Sequence, residues 1–186
     1  MTTDPLRPAT GVIVFQYNPE TLTRTLTART AGDQSGTGPP RFAGLAEQTL
    51  KLAVELDATD QLEQGDPLTR AVGIAPALAR LELLVQPAAA TVIANEALLR
   101  AGVVEILPAE APLTVLVWGA QRILPVRVTE LSVTEDAFDT TLNPIRAKVD
   151  LGLKVVNHPD VPMLSEAGAL SMAAHVGREV LAGLGW

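Results

Sequence analysis

Residues 144–156 constrain the fold of this chain more than any other segment, because apolar and charged side chains alternate along them. Successive side chains of a β-strand point to opposite faces of its sheet, so the alternation predicts a strand with one buried and one charged face. The apolar positions are Ile145, Ala147, Val149, Leu151, Leu153 and Val155, and the charged positions are Arg146, Lys148, Asp150 and Lys154.

The same period of two, or an enrichment in branched and aromatic residues, predicts strands over residues 11–17, 20–30 and 48–57. Residues 20–30 have a weak apolar face, because threonine fills every second position from Thr21 to Thr27. In the segment 48–57, leucine and valine alternate with polar and charged residues, which indicates a strand that buries one face.

Two further strands, at residues 113–118 and 123–134, predict a hairpin with a tight turn between them. The first is apolar on both faces, which favours a central position in the sheet. The second contains Pro125, which cannot donate a hydrogen bond to a neighbouring strand and therefore predicts an edge position or a bulge.

The period changes over residues 74–86, where leucines spaced three apart predict a helix with Pro76 in its first turn. Residues 88–102 are rich in alanine and fit either a second short helix or an irregular connection. Residues 165–184 predict a C-terminal helix with Ser165 as its N-cap.

Residues 31–46 are rich in glycine and proline and predict a long flexible loop, and residues 58–70 are polar and turn-like. The predicted fold class is therefore α+β and mainly β, an antiparallel barrel or sandwich with one flanking helix and a C-terminal helix. We expect a barrel domain over residues 1–157 and a helical extension over residues 158–186.

Composition excludes several classes of function. With no cysteine, the chain cannot form disulfides, use thiolate chemistry or build cysteine-ligated zinc sites. A net charge of −7 disfavours nucleic acid and anionic lipid as partners. The first residues do not resemble a secretory signal, and no apolar run is long enough to span a bilayer, so we expect assembly in the cytoplasm and no membrane insertion.

The sequence shows no arrangement of residues typical of catalysis, so we predict no enzyme activity, no cofactor and no metal. His158 and His175 have no carboxylate at the spacing of a metal site or a triad. Four acidic residues close in sequence invite a cation site but lack a calcium-loop register, and a solvated loop explains them better. They are Glu130, Glu135, Asp136 and Asp139.

Several segments resemble a known family. The run Phe15-Gln16-Tyr17-Asn18-Pro19-Glu20-Thr21-Leu22 resembles the N-terminal aromatic–x–aromatic–Asn-Pro strand and turn of contractile injection system tube and tube-adaptor proteins. Residues 142–151 are similar to the last core strand of those proteins, in which Pro-x-Arg-Ala precedes alternating apolar residues. The predicted hairpin resembles their central hairpin, and the matching segments follow the family's order.

The resemblance implies a subunit that assembles with itself into a hexameric ring, which either stacks into the inner tube or joins the tube to the spike and baseplate. Adaptor members often carry a C-terminal LysM module that binds peptidoglycan, and this chain shows no counterpart of it. The implied partners are the inner tube protein, the spike hub and other baseplate proteins. The candidate interface residues are Phe15, Tyr17, Asn18, Pro19, Arg41, Phe42, Trp118, Arg146, Lys148 and Trp186.

Several alternatives stay open at the level of the sequence. The ring is an adaptor, an inner tube ring or a tube-capping ring of the same particle. Its lumen is lined either by Arg146, Lys148 and Asp150 or by the threonines of residues 21–25. From other classes, a ligand-binding β-barrel is weakened by the aromatic content of 3%. A hydrolase using Glu135 and Asp139 is the weakest candidate.

Overall fold

A computed structural model describes residues 11–31, 41–102, 113–157 and 160–185 of the chain. Seven strands occur in these residues: β1 (Leu22–Thr27), β2 (Thr30–Ala31), β3 (Arg41–Phe42), β4 (Glu47–Asp57), β5 (Thr114–Val117), β6 (Ile123–Phe138) and β7 (Pro144–Val155). The same residues contain five helices: α1 (Thr59–Glu63), α2 (Pro67–Val72), α3 (Ala75–Glu82), α4 (Ala89–Arg100) and α5 (Glu166–Gly183).

Five strands form one antiparallel sheet in the order β1-β4-β7-β6-β5, and β2 pairs with β3 in a separate two-stranded sheet. The predicted class, α+β and mainly β, is confirmed. The hairpin of β5 and β6 is also confirmed, with Thr114 opposite Val126 and Val117 opposite Ile123. Its turn closes with a hydrogen bond of 2.8 Å from the Trp118 N–H to the Arg122 carbonyl oxygen.

The predicted strand at residues 11–17 is wrong. These residues form no strand, and Val12 and Val14 are exposed. Branched side chains favour a strand only where a neighbouring strand offers hydrogen bonds and a surface to pack on. The segment is instead linked to the end of β4, where the Asp57 N–H donates to the side-chain oxygen of Gln16 at 3.0 Å.

Residues 58–70 contain α1 and the start of α2, so the prediction of a turn-like segment was wrong. Asp66 and Pro67 start α2: the Asp66 carboxylate accepts a hydrogen bond of 2.7 Å from the Thr69 N–H, and Pro67 takes a position in the first turn. Asp followed by Pro begins a helix as readily as it makes a turn, because both residues suit the first helical positions.

Two placements within the sheet also differ from expectation. β5 lies at an edge of the sheet rather than at its centre, and β6, which contains Pro125, lies between β5 and β7. Pro125 pairs with Val115 on β5, and its carbonyl oxygen accepts a hydrogen bond of 2.9 Å from the Val156 N–H. The N–H and C=O of one strand residue point to the same neighbour, so this proline removes one bond on the β7 side.

The chain divides into two compact units, and each has its own core. The described residues of the first are 11–21, 52–102 and 130–151. Its buried side chains come from alternate positions of β4 and β7, from α3 and from the residues beside α3, so the predicted helix at 74–86 is confirmed with a buried leucine stripe. They are Leu52, Val54, Leu56, Ala58, Ile74, Leu78, Leu81, Leu84, Ala147, Val149 and Leu151.

The described residues of the second unit are 22–31, 41–51, 113–129, 152–157 and 160–185. Its buried apolar residues are Leu50, Leu124, Val126, Leu153, Val155, Val156 and Ala167. Polar contacts add to this core: the Ser171 hydroxyl donates to the Asn157 side-chain oxygen at 3.0 Å, and the Asn157 amide donates to the Ala46 carbonyl oxygen at 2.9 Å. Ser165 caps α5 as predicted, accepting from the Gly168 N–H.

The alternation in 144–156 has the predicted consequence. Within β7, the side chains from Ala147 to Val155 at odd positions are buried, whereas Arg146, Lys148 and Asp150 are exposed. Among the described residues, none of the helices combines the length and hydrophobicity that a membrane-spanning segment needs.

Candidate functional site

The aromatic–Asn–Pro segment lies on the surface of the first unit. Phe15 and Pro19 are half-buried, whereas Tyr17 and Asn18 are exposed. The backbone here is not paired in a sheet, and a described hydrogen bond joins the Gln16 side chain to the end of β4. The segment therefore offers exposed polar and aromatic groups rather than part of a core.

The other predicted interface residues outside β7 are spread over the second unit. Arg41 and Phe42 form β3 and are exposed, with Phe42 retaining 82% of its accessible surface. Trp118 is half-buried in the β5–β6 turn. Trp186 lies outside the described residues. An aromatic side chain as exposed as that of Phe42, on a strand of two residues, is typical of a contact surface.

Arg146 and Lys148 belong to a charged face on the exposed side of β7, together with Asp150. The Arg146 guanidinium donates to the Asp136 carboxylate of β6 at 2.7 Å. This hydrogen bond, the charge of Asp136 and the charges of Asp57 and Glu55 raise the pKa of Arg146 above its ordinary value. The Arg146–Asp136 pair thus joins opposite charges on neighbouring strands of this exposed face.

The acidic residues near the β6–β7 turn include Asp139, whose carboxylate is held by hydrogen bonds within the turn. The Asp139 carboxylate accepts hydrogen bonds from the N–H groups of Thr141 and Asn143, at 2.7 and 2.9 Å, and from both of their side chains. These donors, those of Asn143 first, lower the pKa of Asp139 to about 2. Within the described ranges, no cluster of histidine and acidic residues is arranged to hold a metal ion.

His175 does have a neighbouring carboxylate, contrary to the reading of its sequence context. Its Nε2 atom lies 3.3 Å from a carboxylate oxygen of Glu179, one turn further along α5. Both side chains are largely on the surface, so the pair is an ordinary contact between helical neighbours four residues apart.

Both edges of the five-stranded sheet are exposed in the second unit. On β1, every residue after Leu22 is exposed, and on β5 the exposed side chains are Val115 and Val117. An edge strand offers unpaired N–H and C=O groups to another strand, and charged residues or coverage normally block such pairing. β5 carries no charged residue, so this edge has no such block within the described chain.

The helix α4 is a surface that sequence reasoning missed. None of its residues is buried, and Val92, Ile93, Leu98 and Leu99 keep about half or more of their surface exposed. An isolated helix of this length is marginal in water, because tertiary packing normally stabilises it. The signal in the sequence is weak: apolar residues occur on more than one face, which left the segment open between helix and connection.

A second group that sequence reasoning missed lies in the second unit around Gln48. This residue is 1% exposed, and its side-chain oxygen accepts a hydrogen bond of 2.8 Å from Arg178 of α5. The signal was available in β4, because Gln48 occupies the same alternating phase as the buried Leu50 and Leu52. A polar residue in an otherwise apolar phase indicates a specific partner.

A mainly β subunit with open sheet edges, exposed apolar surfaces and no described metal cluster is typical of an assembly protein. The sequence model of contractile injection system tube proteins matches residues 2–161, which is most of the chain. This protein therefore belongs to the contractile injection system tube protein family. No curated protein matches the sequence at a significant level.

Proposed function

We propose that copies of this protein form a closed, hexameric ring that joins the inner tube of a contractile injection system to its spike and baseplate. The observation that carries the proposal is the pair of exposed sheet edges, β1 and β5, in one unit of the chain. In a ring each copy uses two different surfaces, so β1 of one copy can pair with β5 of the next. Membership of the family supports the assignment of this ring to a contractile injection system.

The charged face of β7 is the proposed lining of the lumen. β4 and β7 are central in the sheet and bury one face, so their other face meets water or the channel. Arg146, Lys148 and Asp150 carry both signs of charge there. A hydrated surface of mixed charge offers no large apolar patch to which cargo would stick.

The adaptor role, rather than the role of a repeating tube ring, is supported by α5. This helix, Glu166–Gly183, lies beyond the residues that match the family model. Its second half exposes Val176, Val180 and Leu181, and Leu184, just after the helix, is exposed as well. A ring that only stacks on copies of itself has no need of such an added apolar surface, whereas an adaptor must present a different surface to the spike.

The proposed contacts with rings above and below are residues 31–46 and 58–70. The first segment contributes the exposed Phe42, and the second contains the short helices α1 and α2 with the exposed Leu68. We expect both segments to be protected from protease in the assembled particle and cleaved in the free protein. Equal cleavage in both states would contradict this assignment.

The direct test is co-expression of this protein with the tube and spike proteins of its particle, followed by negative-stain electron microscopy and mass photometry. The expected result is a ring at the junction of tube and spike, with one copy of the ring per particle end. A ring repeated along the tube would support the alternative, an inner tube protein. Isolated monomers alone would contradict both.

A further inference from the structure

A buried amide in the second unit lacks a hydrogen-bond acceptor. Gln48 is 1% exposed, and its side-chain nitrogen has no hydrogen-bond partner in the described structure. Its side-chain oxygen is occupied by the Nη2 atom of Arg178 at 2.8 Å, which fixes the orientation of the amide. A buried donor without an acceptor costs free energy, so such a group marks a place where an acceptor is expected.

Arg178, beside this amide, is half-buried and has no carboxylate partner among the residues that the structure describes. Its pKa is lowered, first by burial and then by the positive charges of Arg24 and Arg122. Arg24 lies on β1 and Arg122 in the β5–β6 turn, and neither forms an ion pair with a described residue. Arg178 therefore contacts Gln48 directly and is repelled by the positive charges of Arg24 and Arg122.

These arginines lack a carboxylate partner among the described residues although the chain is rich in acidic residues. The chain has 21 acidic and 14 basic side chains other than histidine. Elsewhere in the described chain, four basic side chains have carboxylate partners within about 3 Å: Arg29, Arg100, Arg146 and Lys154. Arg122 and Arg178 are half-buried and Arg24 is exposed. A half-buried charge without a counter-charge lowers stability, and binding of an opposite charge removes that cost.

We propose that Arg24, Arg122 and Arg178, with the unpartnered amide of Gln48, form an anion-binding site that receives a carboxylate side chain from a second copy of this chain. The planar guanidinium group matches a carboxylate with two parallel hydrogen bonds. Arg24 lies on β1, the edge strand assigned above to the contact between copies, so this step rests on the proposed ring.

The carboxylates that the site receives are assigned to β6 of the neighbouring copy. Glu130 and Glu135 are exposed on opposite faces of this strand, so each face offers one carboxylate. Neither forms an ion pair within the described part of its own chain. In a closed ring the two contact surfaces of one copy differ, so a basic site on one surface and acidic residues on the other meet between copies. Opposite charges across such a contact fix its register and exclude wrong partners.

The first experiment tests the site without reference to the ring. The melting temperature of the monomeric fraction is measured in 10 mM inorganic phosphate and in chloride of equal ionic strength; if only rings elute, the Glu130→Lys, Glu135→Lys variant replaces it. Phosphate is expected to raise the melting temperature by about 3 °C. Arg178→Gln should abolish the shift, and Arg122→Gln, in an exposed turn, should at least halve it.

The matched control is Arg80→Gln, because Arg80 is an exposed arginine on α3 with the same charge. This variant should keep the full phosphate shift. A wild-type protein without the shift, or the same shift in all the variants, would overturn the anion site.

The second experiment tests the source of the carboxylate. Arg24→Glu should lower the fraction of protein in rings at least tenfold, whereas Arg80→Glu should leave it unchanged. Adding Glu130→Arg and Glu135→Arg to the Arg24→Glu chain should restore rings, because the charges at the contact are then exchanged. Unchanged assembly of Arg24→Glu, or no restoration, would overturn the assignment to a second copy.

The two experiments also separate this proposal from the ring. If the wild-type protein forms no ring, the ring and the second-copy carboxylate both fail, and the phosphate measurement still decides whether the anion site exists. If rings form but Arg24→Glu does not disturb them, the ring stands and the carboxylate contact fails.

Discussion

Gly73 lies directly against the backbone of Pro144 in the first unit. The N–H of Ile74 donates to the Pro144 carbonyl oxygen at 2.8 Å, and a Cβ atom added to Gly73 would lie 2.0 Å from that same oxygen. Gly73 also has a φ of +57°, a conformation that residues with a side chain rarely adopt. The start of α3 and the start of β7 are therefore joined through a position that accepts only glycine.

Replacement of Gly73 by alanine should lower the free energy of unfolding by about 3 kcal/mol or more, because it adds a steric clash to an unfavourable backbone conformation. Urea unfolding followed by circular dichroism measures the change. The matched control is Gly177→Ala in α5, where an added Cβ meets nothing within 4 Å. That variant should gain about 0.5–1 kcal/mol from helix propensity, and an equal loss in both variants would contradict the account.

Lowering the pH should destabilise the fold at the ends of β4 and β6 and at the start of α2, where three aspartates accept hydrogen bonds. The pKa values of Asp57, Asp66 and Asp139 are all lowered, chiefly by hydrogen bonds from Thr59, Thr69 and Asn143 respectively. A group whose pKa is lower in the folded state stabilises the fold above its unfolded pKa and loses that contribution as pH falls through the folded value.

For Asp139 this loss falls between its ordinary pKa of 3.8 and the folded value of about 2. Asp139→Asn should therefore flatten the dependence of stability on pH across that interval, as measured by urea unfolding at each pH. The control is Asp150→Asn, an exposed carboxylate on β7 with no described hydrogen bond. A slope unchanged by Asp139→Asn would contradict the role of the turn.

The regular alternation of β4 and β7 made both strands predictable, because apolar residues fill the buried face and mostly polar or charged residues fill the other face. The segment 11–17 has equally good strand composition and forms none, since pairing depends on a neighbour that local sequence does not identify. For the same reason the position of β5 at an edge was beyond prediction: apolar residues on both faces indicated burial, while Val115 and Val117 are in fact exposed.

The candidate site was predictable only in part. The charged face of Arg146 and Lys148 follows from periodicity, and the exposure of Phe42 agrees with a surface role. The cluster around Gln48 was not found, because its members are more than a hundred residues apart in sequence and only the fold brings Arg178 to β4. A polar residue in a buried phase was the one local signal.

Burial should separate Leu81, which belongs to the leucine stripe of α3, from Leu83, which lies off that stripe. Leu81 is 2% exposed, whereas Leu83, just after the helix, is 38% exposed. Leu81→Ala should cost about 2–5 kcal/mol of unfolding free energy, because it leaves a cavity in a packed core. Leu83→Ala should cost less than about 1 kcal/mol. Thermal or urea unfolding of both variants decides, and equal losses would contradict the position of this core.

A change at the β5 edge should act on assembly and not on the fold. Val117 is 65% exposed, so Val117→Lys should change the unfolding free energy by less than about 0.5 kcal/mol. The added charge should still reduce ring formation, because charged residues on edge strands block pairing. Gln121→Lys, in the adjacent turn, is the control with the same charge change and should assemble normally.

Cysteine cross-linking tests whether the β1 edge of one copy meets the β5 edge of the next. The chain has no cysteine of its own, so introduced thiols report only the chosen positions. Variants that combine Thr23→Cys or Thr25→Cys with Val115→Cys or Val117→Cys are oxidised and separated on a denaturing gel. If these edges meet, we expect each pair of cysteines to give a ladder of cross-linked copies that ends at the ring. Each single cysteine should give at most dimers. Absence of a ladder from every pair, in samples where electron microscopy shows rings, would contradict it.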